Sequence, residues 1–491
     1  MTRDISRQAF IRGTLGTVAA GALASCGESA PGPQTHPTTP ASPSPTKASG
    51  ARDWTALDDS VDGHVILPSS PDYAAAKGLF NTRFDDSAPA AVVTAQSTDD
   101  IRKAVEFAAK NDIKVTVRSG GHSYIGASAG NGAMVIDLRR LPGEPSYDND
   151  LVTIPAATQL DSVQTALAAR DLSIPSGSCP TVGLAGLTLG GGLGSDARRA
   201  GLTCDALESA VVVLPSGEAI TASADNHADV FWALRGGGGG TVGVVAAFTF
   251  RTFPAADRDV VTIEFPEGAT ADAVLGWHDW MQRADRAIWG MVNITVGGGA
   301  TGCTVVLATP AGDGQSRASD LSAAIGLPLA SSASQTLGRI DFIHYFEGGS
   351  QATQPRAFLA GSDIVGEMTR EAAESIVAAT SAWPPDAGSA TAVIESLSGA
   401  VTDVDPSASA FPWRRQAACI QWYTEPSAAS FDAASQWLTS AHAAVQAHSV
   451  GRYVNYAEPD TPPSRYFGAN LERLVAVRQK YDPSGLMYSG M

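Results

Sequence analysis

The chain has 491 residues, of which 44% are hydrophobic and 17% charged, so it is long and apolar enough to bury a large core. Its 50 Asp and Glu residues outnumber its 33 Lys and Arg residues, giving a net charge of -17. Such an acidic chain lacks the basic surface that nucleic acids need. The composition therefore excludes a nucleic-acid partner and favours a small molecule.

The first 26 residues have the pattern of an export signal. Arg3, Arg7 and Arg12 precede a weakly apolar run at 13–24 that is too short to span a bilayer. The run ends in Leu23-Ala24-Ser25-Cys26, which resembles a lipobox and predicts a lipid anchor to the membrane at Cys26. An extracytoplasmic location follows, and an ordinary secretory signal with an incidental cysteine is the alternative.

The export route is open between the twin-arginine and general secretory pathways. Residues 6–12 resemble a twin-arginine signal, but Gln8 stands where the second arginine is expected. Residues 27–52 are rich in Pro, Ser, Thr and Ala and cannot bury enough surface to fold. They predict a disordered tether, with the folded body beginning at residue 53.

The body begins with alternating helices and strands, as in an α+β fold. Thr98 or Asp99 is expected to cap a helix that Asn111-Asp112 ends, and a strand at 113–117 runs into Gly120-Gly121. Further helices are predicted at 160–167 and 226–234, and further strands at 134–138, 208–214 and 242–253, with a hairpin turn into Ile220.

The segment Arg118-Ser119-Gly120-Gly121-His122-Ser123-Tyr124 is a glycine turn that presents a histidine. Two glycines permit positive φ and let a flat ligand approach amide N–H groups, while Arg118 adds a charge suited to pyrophosphate. A lone histidine on a turn is usually a surface residue. By itself, the segment indicates an anion-binding loop.

A second glycine run follows Cys179 and occupies residues 183–194. Its glycines are Gly183, Gly186, Gly190, Gly191, Gly192 and Gly194. Leucines between them favour a buried backbone along a pyrophosphate over a flexible linker, which is usually polar.

A third glycine run at 236–243 fits the spacing G-x-G-x-x-G at Gly238, Gly240 and Gly243. A helix is predicted before it and a strand after it, which is the reverse of a Rossmann dinucleotide site. The chain also lacks a P-loop, and its Gly-His-Ser-Tyr-Ile segment misses the hydrolase nucleophile motif.

The remaining cysteines, Cys204, Cys303 and Cys419, have no short spacing and are expected to be buried thiols, and no metal site is predicted.

Together, the segments 118–126, 179–194 and 231–245 and the C-terminus resemble the berberine bridge enzyme-like FAD-linked oxidases, which have a PCMH-type FAD-binding fold. The resemblance implies an FAD-binding domain of two α/β subdomains at 53–254. It also implies a substrate domain with an antiparallel sheet and flanking helices at 255–449, and a segment returning to the FAD domain at 450–491.

The same resemblance implies FAD attached through two covalent bonds, from His122 to the flavin 8α-methyl and from Cys179 to flavin C6. Val182 matches the family position over the oxygen-reactive flavin face. Further FAD contacts are expected from Arg118, Ser119, Gly120, Gly121, Ser123, Val182, Gly183, Gly186, Gly190, Gly191, Gly192, Val244, Tyr453, Asn455 and Asn470.

In sugar-oxidising members, the second tyrosine of a Tyr-x-x-Tyr pair acts as the base, which maps onto Tyr456, with Tyr124 as the expected helper. The implied function is an oxidase that takes hydride from an alcohol-type substrate and reduces O2 to H2O2. A dehydrogenase with another acceptor, a secondary-metabolite-tailoring oxidase and a non-catalytic ligand-binding lipoprotein stay as alternatives.

The residue pattern in the middle of the chain predicts the strands of the substrate sheet. Residues 261–265, 291–296, 303–307, 393–397 and 417–423 read as strands, and 273–281 as a helix. Glu395, Gln421 and Tyr423 are candidates for the pocket wall. Trp413 stands where family members often have a histidine, which leaves the local pocket chemistry open.

Overall fold

The computed structural model describes residues 52–346 and 353–490. The predicted export signal and Cys26 lie outside these residues, as does the predicted tether except for Arg52. None of the helices in the described ranges is both long and apolar enough to cross a membrane.

A four-stranded mixed sheet positions the first glycine turn. Its strands are β1 His64–Ile66, β2 Ala91–Thr94, β3 Val115–Arg118 and β4 Met134–Asp137, in the order β1-β2-β4-β3. β4 pairs in parallel with β2 and with β3, whereas β1 is antiparallel to β2. As predicted, β3 leads directly into Gly120-Gly121.

A five-stranded antiparallel sheet follows in the chain. The next strands are β5 Ser146–Asp148, β6 Leu151–Pro155, β7 Leu172–Ser173, β8 Leu207–Val213, β9 Ala219–Ser223, β10 Val244–Arg251 and β11 Phe253–Pro254. The sheet order is β5-β6-β10-β8-β9, while β7 and β11 form a separate two-stranded ladder. β8 and β9 are the predicted hairpin.

The largest sheet has eight strands, each antiparallel to its neighbours. They are β12 Arg258–Glu264, β13 Trp289–Gly297, β14 Ala300–Pro310, β15 Ser331–Leu337, β16 Leu359–Val365, β17 Ser389–Ser396, β18 Ala418–Thr424 and β19 Ser449–Gly451. Their order is β15-β12-β14-β13-β17-β18-β16-β19. Side chains alternate between the two faces of each strand, so Val292 and Ile294 of β13 enter one buried core while Met291 joins a second, smaller buried cluster on the other face.

Helices surround these sheets. They are α1 Trp54–Asp58, α2 Tyr73–Lys77, α3 Thr98–Lys110, α4 Leu160–Ala168, α5 Leu184–Leu189, α6 Ala197–Ala200, α7 Ala228–Leu234, α8 Thr270–Arg283, α9 Gly314–Ile325, α10 Arg339–Phe346, α11 Arg370–Ser381, α12 Phe431–Val445, α13 Ser464–Phe467 and α14 Leu471–Tyr481. Trp277 of α8, Ile376 of α11 and Trp437 of α12 join Val292 and Ile294 of β13 in one buried core. Burying each such side chain contributes about 1.5–3 kcal/mol.

The predicted α+β fold class is confirmed, and the predicted helices and strands are present with ends shifted by a few residues. One local expectation was wrong, the cap of α3. The cap of α3 is Ser97, whose extended backbone lets its hydroxyl accept from Asp100 N at 3.1 Å. In the second glycine run, Leu184–Leu189 forms α5. The exact domain boundaries stay predictions.

Asp196 ties the substrate sheet to the turn after the second glycine run. It accepts from Arg339 Nη1 at 2.9 Å and from Arg258 Nη1 of β12 at 3.3 Å, and all three side chains are buried. Burial alone would raise the pKa of Asp196, but the two arginines lower it overall. Removing one partner of such a buried ion pair typically costs about 3–5 kcal/mol. The cluster therefore fixes the two halves of the chain against each other.

Candidate active site

The first two glycine segments meet at Gly120 and Gly183. A Cβ added to Gly120 would lie 2.2 Å from Gly183 N, and one added to Gly183 would lie 2.3 Å from Gly120 N. Neither position can therefore carry a side chain without moving backbone. Gly121 has φ of +74°, which turns the chain so that His122 follows at the cavity wall.

His122 is held in the neutral form. Its ring stacks on Phe80 with 3.9 Å between ring centroids, and its Nε2 lies 2.9 Å from Thr181 Oγ1. Removal of water by the surrounding walls lowers the pKa of His122 to about 4. A neutral imidazole retains a nitrogen lone pair, which is what a nucleophile or ligand requires.

Cys179 is the exposed member of the described cysteines, and it lines the same cavity. Cys204 and Cys419 are buried and Cys303 is partly buried, as expected, and none of the four is in a disulfide. Burial raises the pKa of the Cys303 thiol to about 12 and that of Cys419 well above its ordinary value. Among these four thiols, Cys179 is therefore the one that a cavity ligand can reach.

Tyr453 and Asn455 hold the second glycine run from behind. The Tyr453 hydroxyl accepts from Gly192 N at 2.9 Å and Leu193 N at 3.2 Å, and also from Asn455 Nδ2 at 2.9 Å. Asn455 Nδ2 also donates to Leu187 O at 3.0 Å. Both residues therefore position the glycine backbone, and Asn455 in addition lines the cavity.

The cavity has a volume of about 500 Å³ and lies between the glycine segments and one face of the largest sheet. Of the predicted FAD contacts, those at its wall are Ser119, Gly120, Gly121, His122, Ser123, Cys179, Val182, Gly183, Gly186 and Asn455. The third glycine run contributes Gly238, Gly239, Gly240 and Gly243, and the C-terminus contributes Tyr488 and Ser489, none of which was a predicted contact.

The cavity-facing side of the sheet is polar and aromatic. The candidates Glu395, Gln421 and Tyr423 all lie on it. Sequence reasoning missed Phe80, Trp289, Met291, Asn293, Thr295, Thr304, Val306, Arg356, Phe358, Thr391, Val393 and Glu425. Alternation along the predicted strand at 291–296 contained the signal for Met291, Asn293 and Thr295, because these residues share one face.

Tyr456 and Tyr124 meet on the cavity wall as a stacked pair with ring centroids 5.2 Å apart. Gln421 Nε2 donates to the Tyr124 hydroxyl at 2.6 Å. Burial raises the pKa of Tyr456 well above its ordinary value, and the charges of Glu395 and Tyr124 raise it further. Without a bound substrate or cofactor Tyr456 is thus a neutral phenol, and the expectation that Tyr124 helps it to ionise stays a prediction.

Several predicted contacts do not reach the cavity wall. Arg118 is fully buried, with its Nη2 3.0 Å from Asp137 Oδ2, so its charge is used inside the fold. Val244 is fully buried, whereas its neighbour Val245 lines the cavity. Asn470 Nδ2 donates to Pro406 O at 2.7 Å and Ser409 O at 3.0 Å.

The other residues away from the wall act on its backbone or on the packing behind it. Gly190, Gly191 and Gly192 form the turn that Tyr453 and Asn455 hold, and an added Cβ on Gly190 would lie 2.0 Å from Asn455 Oδ1. Trp413 is 7% exposed, and its Nε1 donates to Arg452 O at 3.0 Å. At the position where a histidine was expected, this tryptophan is a packing residue.

Comparison with known proteins identifies the family. Residues 89–223 match the family model described as FAD binding domain, and residues 452–488 match the model described as berberine and berberine like. The chain belongs to the berberine bridge enzyme-like FAD-linked oxidoreductases.

This berberine bridge enzyme-like chain is similar to curated proteins along most of its length. It is 27% identical over 439 residues to the uncharacterized FAD-linked oxidoreductase YgaK of Bacillus subtilis, covering 87% of this chain and 95% of that protein. It is 29% identical over 468 residues to the xylooligosaccharide oxidase of Thermothelomyces thermophilus, covering 86% and 90%.

Among solved structures, the glucooligosaccharide oxidase from Acremonium strictum superposes with a TM-score of 0.81. The two chains are 24% identical over 89% of this chain and 98% of that one, which shows a shared fold. The FAD of that oxidase is described as 6-S-cysteinyl, 8α-N1-histidyl.

The cavity fits FAD on structural grounds. Gly238 and Gly240 have positive φ, and an added Cβ on Gly186 would meet no atom within 4 Å. Backbone rather than side chains thus borders the open space, which lets a flat ligand and a pyrophosphate contact amide groups directly. The glycine segments would hold the cofactor, and bound FAD would supply a two-electron acceptor. Within the described ranges, no group of three or more His, Cys, Asp and Glu could hold a metal ion.

The role of Tyr453 can be tested by Tyr453→Phe. The substitution leaves Gly192 N and Leu193 N without their buried acceptor, so we expect the free energy of unfolding to fall by about 1–3 kcal/mol. Denaturant unfolding measures the free energy of unfolding, and the FAD-to-protein ratio measures cofactor content. Both quantities should decrease. Tyr481→Phe is the control, because its hydroxyl contacts Asp229 away from the cavity. Equal effects of both variants would contradict the assignment.

Proposed function

We propose that this enzyme is an FAD-dependent oxidase of hydroxylated small molecules, with neutral oligosaccharides as the preferred class. The observation that carries the proposal is the convergence of His122, Cys179 and Tyr456 on one cavity. An imidazole, a thiol and a phenol there join a wall rich in glycine backbone. The arrangement matches the needs of a tethered flavin beside a substrate hydroxyl.

Covalent attachment through both His122 and Cys179 is part of the proposal. The neutral imidazole has one nitrogen engaged by Thr181, which leaves Nδ1 as the nitrogen for a bond to the flavin. Cys179 offers an exposed thiol on the same cavity. The described linkage of the Acremonium strictum oxidase, to one cysteine and one histidine, supports the same pair here.

The sheet face favours a neutral, hydroxyl-rich substrate. Asn293, Thr295 and Thr391 offer amide and hydroxyl groups, while Trp289 and Tyr423 offer aromatic surface. Glu395 adds a negative charge that repels anionic substrates. The names of the relatives, which include xylooligosaccharide and chitooligosaccharide oxidases, support an oligosaccharide.

Tyr456 and Glu395 form the proposed proton acceptor. The phenol stays protonated at neutral pH because its pKa is raised, so it does not act as a preformed phenolate. With Glu395 ionised, however, the pair holds one negative charge and can accept one proton. We propose that Tyr456 Oη takes the substrate hydroxyl proton as its own proton passes to the carboxylate. The substrate C–OH becomes C=O when the hydrogen on its carbon also leaves as hydride, for which bound FAD would be the two-electron acceptor.

Dioxygen is the proposed final acceptor. It takes up the two electrons and two protons that the substrate loses and leaves as hydrogen peroxide. Val182 lies on the cavity wall at the position that the family resemblance assigns to oxygen access. Its side chain is small enough for a gas molecule to approach the cofactor.

Attachment is tested on peptides from the purified holoenzyme. After acid denaturation, we expect FAD to stay with the protein, and mass spectrometry should place the flavin on the peptides containing His122 and Cys179. His122→Ala and Cys179→Ala should each leave one linkage, because the two bonds form at different atoms. Cys303→Ala, on β14 and outside the cavity wall, is the control. FAD released into the supernatant of the wild-type enzyme would overturn the covalent proposal.

Turnover is tested by anaerobic bleaching of the flavin with xylo-, gluco- and chitooligosaccharides, simple alcohols and amines. Bleaching by a neutral oligosaccharide, followed by recolouring in air with H2O2 release, is expected. Tyr456→Phe and Glu395→Gln should each slow bleaching at least about 100-fold, because each removes half of the proton acceptor. Tyr147→Phe, whose hydroxyl bonds Ala166 O outside the cavity, is the control.

The outcomes separate the alternatives. Bleaching without recolouring in air indicates a dehydrogenase with another acceptor. A protein that no compound bleaches is a ligand-binding relative without turnover. Bleaching only by compounds that are not sugars contradicts the oligosaccharide proposal and leaves the oxidase proposal intact.

We also propose, from sequence alone, that the enzyme is exported and anchored through a lipid on Cys26. In cells expressing the full chain, the protein should fractionate with membranes, and Cys26→Ser should release it from them. Cys204→Ser is the control for loss of a thiol. Recovery of the wild-type protein in the cytoplasmic fraction would contradict both parts.

A further inference from the structure

His442 of α12 lies between two carboxylates from different parts of the chain. Its Nδ1 is 2.6 Å from Asp363 Oδ2 on β16, and its Nε2 is 2.7 Å from Glu458 Oε2 in the C-terminal segment. The Asp363 side chain is 2% exposed and that of Glu458 is 9% exposed. Both hydrogen bonds are therefore shielded from bulk water.

The two bonds require a particular protonation state. Ionised carboxylates only accept hydrogen bonds, and a neutral imidazole has a single N–H to donate. Both bonds can therefore form together only when His442 is an imidazolium. Burial alone lowers the pKa of His442, but the hydrogen bonds and charges of Asp363 and Glu458 raise it overall.

The remaining partners of the carboxylates fix their positions. Asp363 accepts from Trp422 Nε1 at 2.9 Å and Ser449 Oγ at 2.6 Å, and Arg465 Nη2 lies 3.7 Å away. Glu458 Oε1 accepts from Arg452 Nη1 at 2.9 Å and from Ser362 N at 3.3 Å. The two arginines balance the two carboxylates, so the imidazolium adds the charge that changes with pH.

The cluster reaches the active site through the segment between β19 and Glu458. Ser362, next to Asp363 on β16, accepts from Tyr453 N at 2.9 Å. The Tyr453 ring contacts the Tyr456 ring at 4.9 Å between centroids, and Tyr456 stacks on Tyr124. The short turn that carries Tyr456 is thus fixed before it by Ser362 and after it by Glu458.

We propose that His442 is a positioning residue. Its imidazolium donates a hydrogen bond to Glu458 and another to Asp363, and thereby holds Tyr456 in place against the substrate sheet. Below the pKa of the folded enzyme, both bonds are made. As pH rises through that value, the imidazolium loses a proton and one carboxylate faces a nitrogen lone pair. The turn then loosens, and the rate of flavin reduction falls on the alkaline side.

The test compares His442→Gln and Glu458→Gln with wild-type holoenzyme. A glutamine at 442 can donate to only one carboxylate, so flavin reduction should slow at least about tenfold. Glu458→Gln has a different effect, because its amide can donate to a neutral imidazole while its oxygen still accepts from Arg452 and Ser362. This variant should keep both hydrogen bonds of His442 at high pH. Its rate of flavin reduction should therefore not show the alkaline decline of wild type. His448→Gln, whose imidazole makes no ion pair in the described part of the chain, is the control.

A second readout is hydrogen–deuterium exchange of the peptide covering residues 449–458, measured at one pH below neutrality. The amides should exchange faster in His442→Gln than in His448→Gln, because the segment loses one anchor. Wild-type exchange and an unchanged pH profile in His442→Gln would overturn the proposal, as would an alkaline decline in Glu458→Gln equal to that of wild type. The flavin-reduction measurement rests on the proposed function, whereas amide exchange does not. Failure of the positioning proposal is therefore distinguishable from failure of the proposed function. If His442→Gln does not fold, Glu458→Gln still decides.

Discussion

The site depends on the contact between two stretches of bare backbone. Gly120 and Gly183 approach so closely that a Cβ on either would fall within 2.3 Å of the other residue's amide nitrogen. Only this approach brings the histidine after the first turn and the cysteine before the second onto one wall. A side chain at either glycine would push the two backbone segments apart. The spacing of the two proposed flavin attachment points would change with it.

The active site is also assembled from widely separated parts of the chain. The strand β3 supplies one wall, β13 and β17 supply another, and the C-terminal segment brings Tyr453 and Tyr456 between them. Tyr453 bonds the glycine run with its hydroxyl and Ser362 with its backbone. A single residue thus links the cofactor side to the substrate sheet, so changes in the packing of the sheet reach the cofactor side through it.

Local patterns predicted the fold well and the site only in part. Periodicity located β3, α7 and β10, and with them the glycine turns, because these elements depend on neighbours in sequence. Arg118 failed as a pyrophosphate contact because Asp137, its partner, lies on the adjacent strand and no local pattern pairs them. Phe80 stacks on His122 from a loop without any sequence signal. Such long-range contacts follow from the packing of whole sheets.

Burial in the cavity wall favours the neutral form of both His122 and Tyr456. Burial lowers the pKa of the histidine to about 4 and raises that of the tyrosine well above its ordinary value, so both side chains are neutral at physiological pH. A neutral His122 keeps the nitrogen lone pair that a nucleophile needs. A neutral Tyr456, however, is not the phenolate that could act directly as a base. The proton must therefore go to a group that retains charge on the cavity wall. Glu395 lines the same wall and its charge raises the pKa of the Tyr456 phenol, so the pair, rather than either residue, is the proposed proton acceptor.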